Sequence, residues 1–188
     1  WGGRSAGRNG LASRGSFATV LAAAQSHRMH PADRMPLPRP ELSVIICTRD
    51  RAASLAETLS CLLVGYRPEL AVEVVVVDNG GKDDTARMVE SFRSRLPVRL
   101  LVEPRPGKGH CLNRALDEGG LGGIIAGLDD DMSPEPGWFE GVLASCRRLP
   151  EVDVFGGDVY VIWPPDPVPE WASACRGDVL GWAFSATG

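Results

Sequence analysis

Short apolar runs alternate along the chain with segments in which apolar residues recur every three or four positions. The runs are rich in Val and Ile, as is typical of strands, and span LSVIIC (42–47), VEVVVV (72–77), VRLLVE (98–103) and GIIAGL (123–128). The intervening segments predict helices over residues 52–64, 84–95, 109–118 and 136–148, and a last strand is predicted over 152–163. Strands that are apolar on both faces need helices on both sides. The pattern therefore predicts an α/β fold with a mostly parallel sheet flanked by helices.

Residues 1–40 differ from the rest of the chain. They contain six arginines and a single acid, with four prolines in their last ten positions. Such a segment buries little apolar surface, so we predict a flexible N-terminal extension with a short helix over residues 17–25. Residues 41–188 are predicted to form one domain. Because the chain begins with Trp1 and ends at Gly188 without a recognisable closing element, we expect this domain to be C-terminally incomplete.

Composition narrows the classes of partner. The formal net charge is −4 and the pI about 5.4, so no nucleic-acid partner is expected, since nucleic acid calls for a basic face. No apolar run approaches the roughly 20 residues that span a bilayer, so membrane association is expected only through parts outside this sequence. The five cysteines never form a C-x-x-C pair, which indicates buried thiols in a reducing compartment. We predict a cytoplasmic protein, or one at the cytoplasmic face of a membrane.

Polar residues follow the predicted strands directly. They are residues 48–50, 78–79, 104–108 and 129–131. In open parallel sheets, ligands bind beyond the carboxyl ends of the strands, so we expect these residues to converge at one edge of the sheet. That edge is the predicted functional site.

The highest concentration of charge at this edge is Asp129-Asp130-Asp131. Adjacent like charges repel unless something compensates them, and a hard divalent cation such as Mg²⁺ or Mn²⁺ would do so through carboxylate oxygens. Alternate side chains of an extended backbone point the same way, so Asp129 and Asp131 can share an ion as a D-x-D pair while Asp130 makes a different contact. The alternative is a solvated acidic turn that caps the following helix.

Two other strand ends offer contacts of different kinds. Asp78 can accept hydrogen bonds from a ribose hydroxyl or a base N–H, or it can close its own turn through an Asx bond. The glycine-bearing loop PRPGKGH (104–110) can face a phosphate with its backbone N–H groups and with Lys108.

Four polar residues follow the first strand, namely Thr48, Arg49, Asp50 and Arg51. Their side chains could line a nucleotide slot. Alternatively, Asp50 and Arg51 pair with each other at the surface. The residue types are compatible with both arrangements.

Four stretches together resemble the nucleotide-sugar half of glycosyltransferase family 2, which has the GT-A (Rossmann-like) fold. In order they are SVIICTRDRAASLAETLSCLL, VEVVVVDNGGKDDTARMV, PGKGHCLNRALD and AGLDDDMSPEPGWFEGVL, between Leu42 and Leu143. The resemblance implies a hexosyltransferase-type enzyme that uses Mg²⁺ or Mn²⁺. It would transfer a sugar, with inversion, from a nucleoside-diphosphate-sugar donor, most often a UDP-sugar. The acceptor could be a glycan, a lipid or a small molecule.

The resemblance also implies roles for individual residues. The donor would be contacted by Cys47, Thr48, Arg49, Asp78, Lys108 and Asp130. The first three and Asp78 would face the nucleoside, Lys108 would be the basic donor contact, and Asp130 would lie by the ribose or donor sugar. Asp131 is implied as the principal metal ligand, with Asp129 as the other acid of the D-x-D pair.

The catalytic base is not identified. In this family it is an Asp or Glu of the acceptor half, yet no residue after Asp131 lies in a recognisable base motif, and Asp158 and Asp166 are candidates only because they are acidic. If the base is missing, we expect this fragment to be inactive by itself. Two alternatives stay open. One is a nucleotidyltransferase, although its glycine-rich loop is replaced here by CTRDR (47–51), and the other is a truncated domain that binds a nucleotide without catalysis.

Overall fold

The computed structural model describes residues 19–21, 39–157 and 159. Within these ranges the strands are Thr19–Leu21 (β1), Leu42–Thr48 (β2), Val72–Asp78 (β3), Val98–Val102 (β4), Ile124–Asp129 (β5) and Val154–Gly156 (β6). The helices are Ala52–Gly65 (α1), Thr85–Glu90 (α2), Lys108–Glu118 (α3) and Trp138–Arg148 (α4). Strand and helix alternate from β2 to α4, which confirms the predicted α/β fold. No helix in the described ranges has both the length and the apolar character needed to cross a membrane.

The six strands form one sheet in the order β4-β3-β2-β5-β1-β6. Strands β4, β3, β2 and β5 run parallel to one another, as their apolar sequences predict. The register places Thr48 of β2 opposite Asp78 of β3, and Cys47 of β2 opposite Asp129 of β5. The carboxyl ends of these three strands therefore finish level, and the polar residues that follow them meet at one edge.

Both faces of the central strands are buried. Residues 44–46 of β2 and 74–77 of β3 are at most 2% exposed. On one face Ile45, Val75 and Val77 pack with buried residues of α3. Burying a Val or Ile side chain contributes roughly 1.5–3 kcal/mol relative to leaving it exposed. The loops at the carboxyl edge of the sheet therefore begin from strands that are held in place by a well-packed core.

The short helix predicted over residues 17–25 is wrong at Thr19–Leu21, which form β1. This strand pairs antiparallel with β5, with Val20 opposite Ala126. Its backbone groups find partners in a strand far along the chain, and that pairing decides its conformation. The other residues of 1–38 lie outside the described ranges.

One helix is shorter than predicted. The helix expected over 84–95 ends as α2 at Glu90, after which amides bond three residues back, as from Phe92 to the carbonyl of Val89 (3.0 Å). Such bonds make tight turns instead of continuing an α-helix. Of the strand predicted over 152–163, the described residues contain β6, and most of the remainder lies outside them.

Gly122 lies where the chain passes closely over the start of β2. A Cβ here would come within 2.7 Å of the carbonyl oxygens of Pro40 and Glu41, whereas one at Gly123 would meet nothing within 4 Å. We expect Gly122→Ala to lower the free energy of unfolding by about 1–3 kcal/mol, because the backbone must shift to make room. Gly123→Ala should change it by about 0.5 kcal/mol or less. Chemical denaturation measures both, and equal midpoints for the two variants would contradict the close approach.

Candidate active site

A cavity of about 350 Å³ opens at the carboxyl edge of the parallel strands. Its lining includes Cys47, Thr48, Arg49, Lys108, Asp129, Asp130 and Asp131, which are seven of the eight site residues predicted from sequence. The eighth, Asp78, is not part of the lining. Arg51, Asn79 and Cys111 complete it. The sheet register therefore brings together residues that are separated by up to 84 positions between Cys47 and Asp131.

The three consecutive aspartates differ in burial. Asp130 is buried, with 4% of its surface exposed, whereas the side chains of Asp129 and Asp131 are 55% and 52% exposed. Thr48 Oγ1 donates to Asp130 Oδ2 (2.7 Å), and Arg51 Nη1 donates to Asp130 Oδ1 (2.7 Å). A buried carboxylate is tolerated because both oxygens receive hydrogen bonds, one of them from a cation. Asp129 and Asp131 are left exposed to solvent.

Two side-chain cations compensate the charge of these aspartates. Arg51 Nη2 donates to Asp131 Oδ2 (2.8 Å), so one guanidinium spans Asp130 and Asp131. Lys108 pairs with Asp129. Hydrogen bonding to Asp131 raises the pKa of Arg51, and hydrogen bonding to Asp129 raises the pKa of Lys108, so both side chains stay charged. Arg51 and Lys108 thus compensate part of the negative charge for which the sequence predicts a divalent cation.

The outward acids nevertheless suit a hard divalent ion. In the part of the chain that the structure describes, no three His, Cys, Asp or Glu side chains are grouped to hold a metal. Mg²⁺ and Mn²⁺ commonly bind through one or two protein carboxylates and take phosphate and water oxygens for the rest. Asp129 and Asp131 are exposed oxygen donors at the rim of one cavity, and this donor set fits that mode of binding.

Asp78 closes the turn that follows β3. Its Oδ1 accepts a hydrogen bond from the backbone N–H of Gly81 (2.8 Å), which is the Asx-type closure considered as the alternative to a ligand contact. A Cβ at Gly81 would lie 2.9 Å from that oxygen, so the turn leaves no room for a side chain there. A nucleoside contact by Asp78 stays a prediction, because this residue is not part of the cavity lining.

The loops after β2 and β3 are tied together by hydrogen bonds from backbone to carboxylate. Asp50 Oδ1 accepts from the N–H of Lys82 (2.6 Å), and Asp83 Oδ2 accepts from the N–H of Ala52 (2.8 Å), the first residue of α1. The surface pair of Asp50 with Arg51, one of the two arrangements left open by the sequence, is wrong, because Arg51 turns to the aspartates of the cavity. The ties hold the cavity wall at the end of β2 in place.

Asn79 organises the loop that leads into α3. Its Nδ2 donates to the carbonyls of Glu103 (2.9 Å) and Arg105 (2.6 Å), and its Oδ1 accepts from the N–H of Gly107 (2.7 Å). Gly107 has a φ of 124°, a conformation open mainly to glycine, and it directly precedes Lys108. Asn79 thus sets the position from which Lys108 reaches the cavity.

Glu103 is a buried carboxylate of the same loop. The backbone N–H and the guanidinium of Arg105 donate to it, each at 2.8 Å, and the guanidinium bonds are the main reason that its pKa falls from 4.5 to about 2. Because the folded pKa lies below the unfolded one, this carboxylate stabilises the fold above pH 4.5, and that contribution is lost as the pH falls toward 2.

We expect Glu103→Gln to reduce the loss of stability between pH 4.5 and about 2, since its side chain does not titrate. Acid unfolding followed by circular dichroism measures this. Glu90→Gln, which removes an exposed carboxylate paired to Arg93, is the control. The same acid dependence in the wild type and in Glu103→Gln would contradict the assignment.

The two cavity thiols are neighbours and remain protonated. Burial, followed by the proximity of Cys111, raises the pKa of Cys47 to about 12, and burial also raises the pKa of Cys111. Neither can serve as a thiolate nucleophile at neutral pH. All four cysteines of the described ranges are free, as predicted, although only Cys111 is fully buried. Cys175 lies outside those ranges.

Arg51 and Asn79 have roles that the sequence did not reveal. The partners of Arg51 lie 79 and 80 positions away, and those of Asn79 lie 24 to 28 positions away. The available signal was only that both follow predicted strands. The two acids considered as possible bases, Asp158 and Asp166, lie outside the described residues.

Comparison with known proteins identifies the family of this chain. Residues 43–170 match the model of glycosyl transferase family 2. Glycosyltransferase AglE of Haloferax volcanii is 29% identical over 126 residues, which are 66% of this chain and 41% of that protein. Chondroitin synthase of Escherichia coli is 33% identical over 121 residues, 64% of this chain and 18% of that protein. The chain thus spans less than half the length of either relative.

A solved structure has the same fold. The crystal structure of S. aureus TarS 1-349 in complex with UDP matches with a TM-score of 0.53 and 26% identity, over 57% of this chain and 32% of that one. The family model covers more than half of the chain and every residue predicted for the site. With its parallel sheet and the cavity at its carboxyl edge, this chain belongs to glycosyl transferase family 2.

Proposed function

We propose that this chain is the donor-binding part of an inverting, metal-assisted glycosyltransferase that takes its sugar from a UDP-sugar. The observation that carries the proposal is one cavity in which two outward carboxylates, Asp129 and Asp131, face two cations, Arg51 and Lys108. Family membership supports a sugar transfer, and the UDP complex of TarS supports the choice of nucleotide. The acceptor is proposed to be a glycan, a lipid or a small molecule.

The chemistry explains why both signs of charge are needed. Breaking a glycosyl–phosphate bond leaves a diphosphate whose growing negative charge must be stabilised. A bound Mg²⁺ or Mn²⁺, held by Asp131 as principal ligand and by Asp129, would supply that stabilisation as a Lewis acid. Lys108 and Arg51 line the same cavity and can donate charge-assisted hydrogen bonds to phosphate oxygens.

The nucleoside is proposed to lie against the end of β2, beside Cys47, Thr48 and Arg49, with Asp78 as a further contact. The protonated Cys47 presents an uncharged surface there, and Arg49 presents a cation. Asp130 is proposed to lie by the ribose or the donor sugar. Both of its oxygens already accept hydrogen bonds, so a sugar hydroxyl would join a network that is fixed in place.

Calorimetry tests the proposal directly. We expect UDP to bind in the presence of Mn²⁺ and to bind much more weakly after the metal is removed with EDTA, because the diphosphate then lacks its main counter-charge. If no nucleoside diphosphate binds in a metal-dependent way, the proposal is wrong. UTP serves as the comparison ligand, since a nucleotidyltransferase would favour the triphosphate.

A second candidate is a domain that binds the donor without catalysis. Family membership argues against a nucleotidyltransferase. It does not distinguish a catalytic glycosyltransferase from a domain that only binds the donor. Release of UDP from a UDP-sugar by this chain, measured with a coupled UDP assay, would exclude the non-catalytic candidate.

A further inference from the structure

Arg51 and Lys108 occupy carboxylate oxygens that a metal ion would use. Arg51 holds Asp131 Oδ2 at 2.8 Å, and Lys108 pairs with Asp129. All four of these side chains are between 47% and 61% exposed. Exposed ion pairs contribute little and exchange easily, so neither contact is a permanent part of the fold.

Asp130 gives Arg51 a fixed pivot. Its side chain is 6% exposed, and Arg51 Nη1 lies 2.7 Å from Oδ1 while Thr48 Oγ1 bonds to Oδ2. The guanidinium is therefore anchored through one nitrogen at a buried carboxylate and bonded through the other to an exposed one. The exposed bond can break while the buried bond keeps the cation at the cavity.

We propose that Arg51 and Lys108 form a latch on Asp129 and Asp131 that the donor diphosphate opens. This inference rests on the proposed function. Without donor, the two cations keep the outward carboxylates occupied. When a diphosphate enters, its oxygens offer the cations partners of higher charge, and the carboxylates become free. Arg51 then exchanges its bond to Asp131 for one to the phosphates, while its bond to Asp130 keeps it at the cavity.

The latch makes metal and donor binding cooperative. A ligand shifts an equilibrium between two states only if it binds one of them better. Here the donor favours the state in which Asp129 and Asp131 are free, and a metal ion favours the same state. By linkage, Mn²⁺ must then raise the affinity for UDP by the same factor by which UDP raises the affinity for Mn²⁺.

The test separates the affinity for metal alone from the affinity for donor. Mn²⁺ binding without nucleotide is followed by electron paramagnetic resonance of free Mn²⁺, and UDP binding at saturating Mn²⁺ by calorimetry. In Arg51→Gln and Lys108→Gln, we expect Mn²⁺ alone to bind about tenfold more tightly and UDP about tenfold more weakly, because each variant loses its ion pair with an outward acid in the free state and its contact with the diphosphate in the bound state. If these two side chains only supported the fold, each substitution would weaken both the affinity for Mn²⁺ alone and the affinity for UDP.

Arg49→Gln is the matched control for the Mn²⁺ measurement. It removes the same charge from the same cavity lining, but its partner is Asp50 at 3.8 Å and not one of the outward acids. We expect its affinity for Mn²⁺ alone to stay within about twofold of the wild type.

Two variants are used because one of them can fail to fold. Arg51→Gln leaves the buried Asp130 without its cation, so circular dichroism must show that it folds, whereas Lys108→Gln breaks only an exposed pair. If Lys108→Gln binds Mn²⁺ alone no more tightly than the wild type, while the wild type still binds UDP with Mn²⁺, the latch is wrong and the proposed function stands. If the wild type shows no Mn²⁺-dependent UDP binding, both are wrong.

Discussion

Asp131→Asn should lower the affinity for UDP at saturating Mn²⁺ by at least about a hundredfold, since replacing even an outer partner of a metal ligand often costs 10–100-fold in metal affinity. Asp131 is the proposed principal ligand, and its side chain is 52% exposed at the rim of the cavity. The substitution keeps the size of the side chain and removes its charge. Isothermal titration of UDP into the protein with Mn²⁺ measures the change.

The control for this variant is Asp117→Asn, which removes an exposed acid near the far end of α3 from Lys108. It should leave UDP affinity unchanged and thus exclude a general effect of net charge. Metal-dependent UDP binding at wild-type strength by Asp131→Asn would remove Asp131 from the metal site and leave the proposed mechanism without its central residue.

Asn79→Ala should be the most damaging substitution at the site for the stability of the protein. Asn79 is 8% exposed and makes three hydrogen bonds, to the carbonyls of Glu103 and Arg105 and from the N–H of Gly107. At about 1 kcal/mol for each bond, we expect the free energy of unfolding to fall by roughly 2–4 kcal/mol. Urea denaturation measures this loss.

The same variant should also weaken UDP binding at temperatures where it remains folded, because the loop no longer holds Lys108 in position. Asn113→Ala, on the exposed surface of α3, is the matched control: it should leave UDP affinity unchanged and change the free energy of unfolding by less than about 1 kcal/mol. Asn79→Asp separates the contacts, since its carboxylate can still accept from Gly107 but cannot donate to the two carbonyls. Full stability in Asn79→Ala would show that the loop does not depend on this side chain.

The sequence predicted the central sheet well because burial on two faces leaves a strong signal. Runs such as VEVVVV can be satisfied only between helices, and the observed strand β3 differs from the prediction by one residue. The location of the site followed from the same signal. Once the strands are parallel, their carboxyl ends share one edge, and Thr48, Lys108 and the aspartates at 129–131 must lie close together.

The sequence was less informative where a weak local signal competes with a distant partner. Thr19–Leu21 lies in a segment of apolar residues with helical spacing, yet it pairs with β5 more than 100 positions later. The end of α2 at Glu90 depends on a change to three-residue hydrogen bonding that composition alone does not show. In both cases the conformation depends on backbone hydrogen bonds that only the three-dimensional structure shows.

The amino-acid pattern by itself determined that this chain forms a parallel sheet flanked by helices and that an acidic, metal-suited edge follows its strands. Hydrophobic periodicity is a property of neighbouring residues and can be read without coordinates. Only the tertiary structure decided the partners: Arg51 with Asp130 and Asp131, Lys108 with Asp129, and Asn79 with the loop before α3. Each of these contacts joins different loops, and which side chains meet depends on strand register and loop conformation. The charges of the site were visible in the sequence, but the way in which the protein balances them was not.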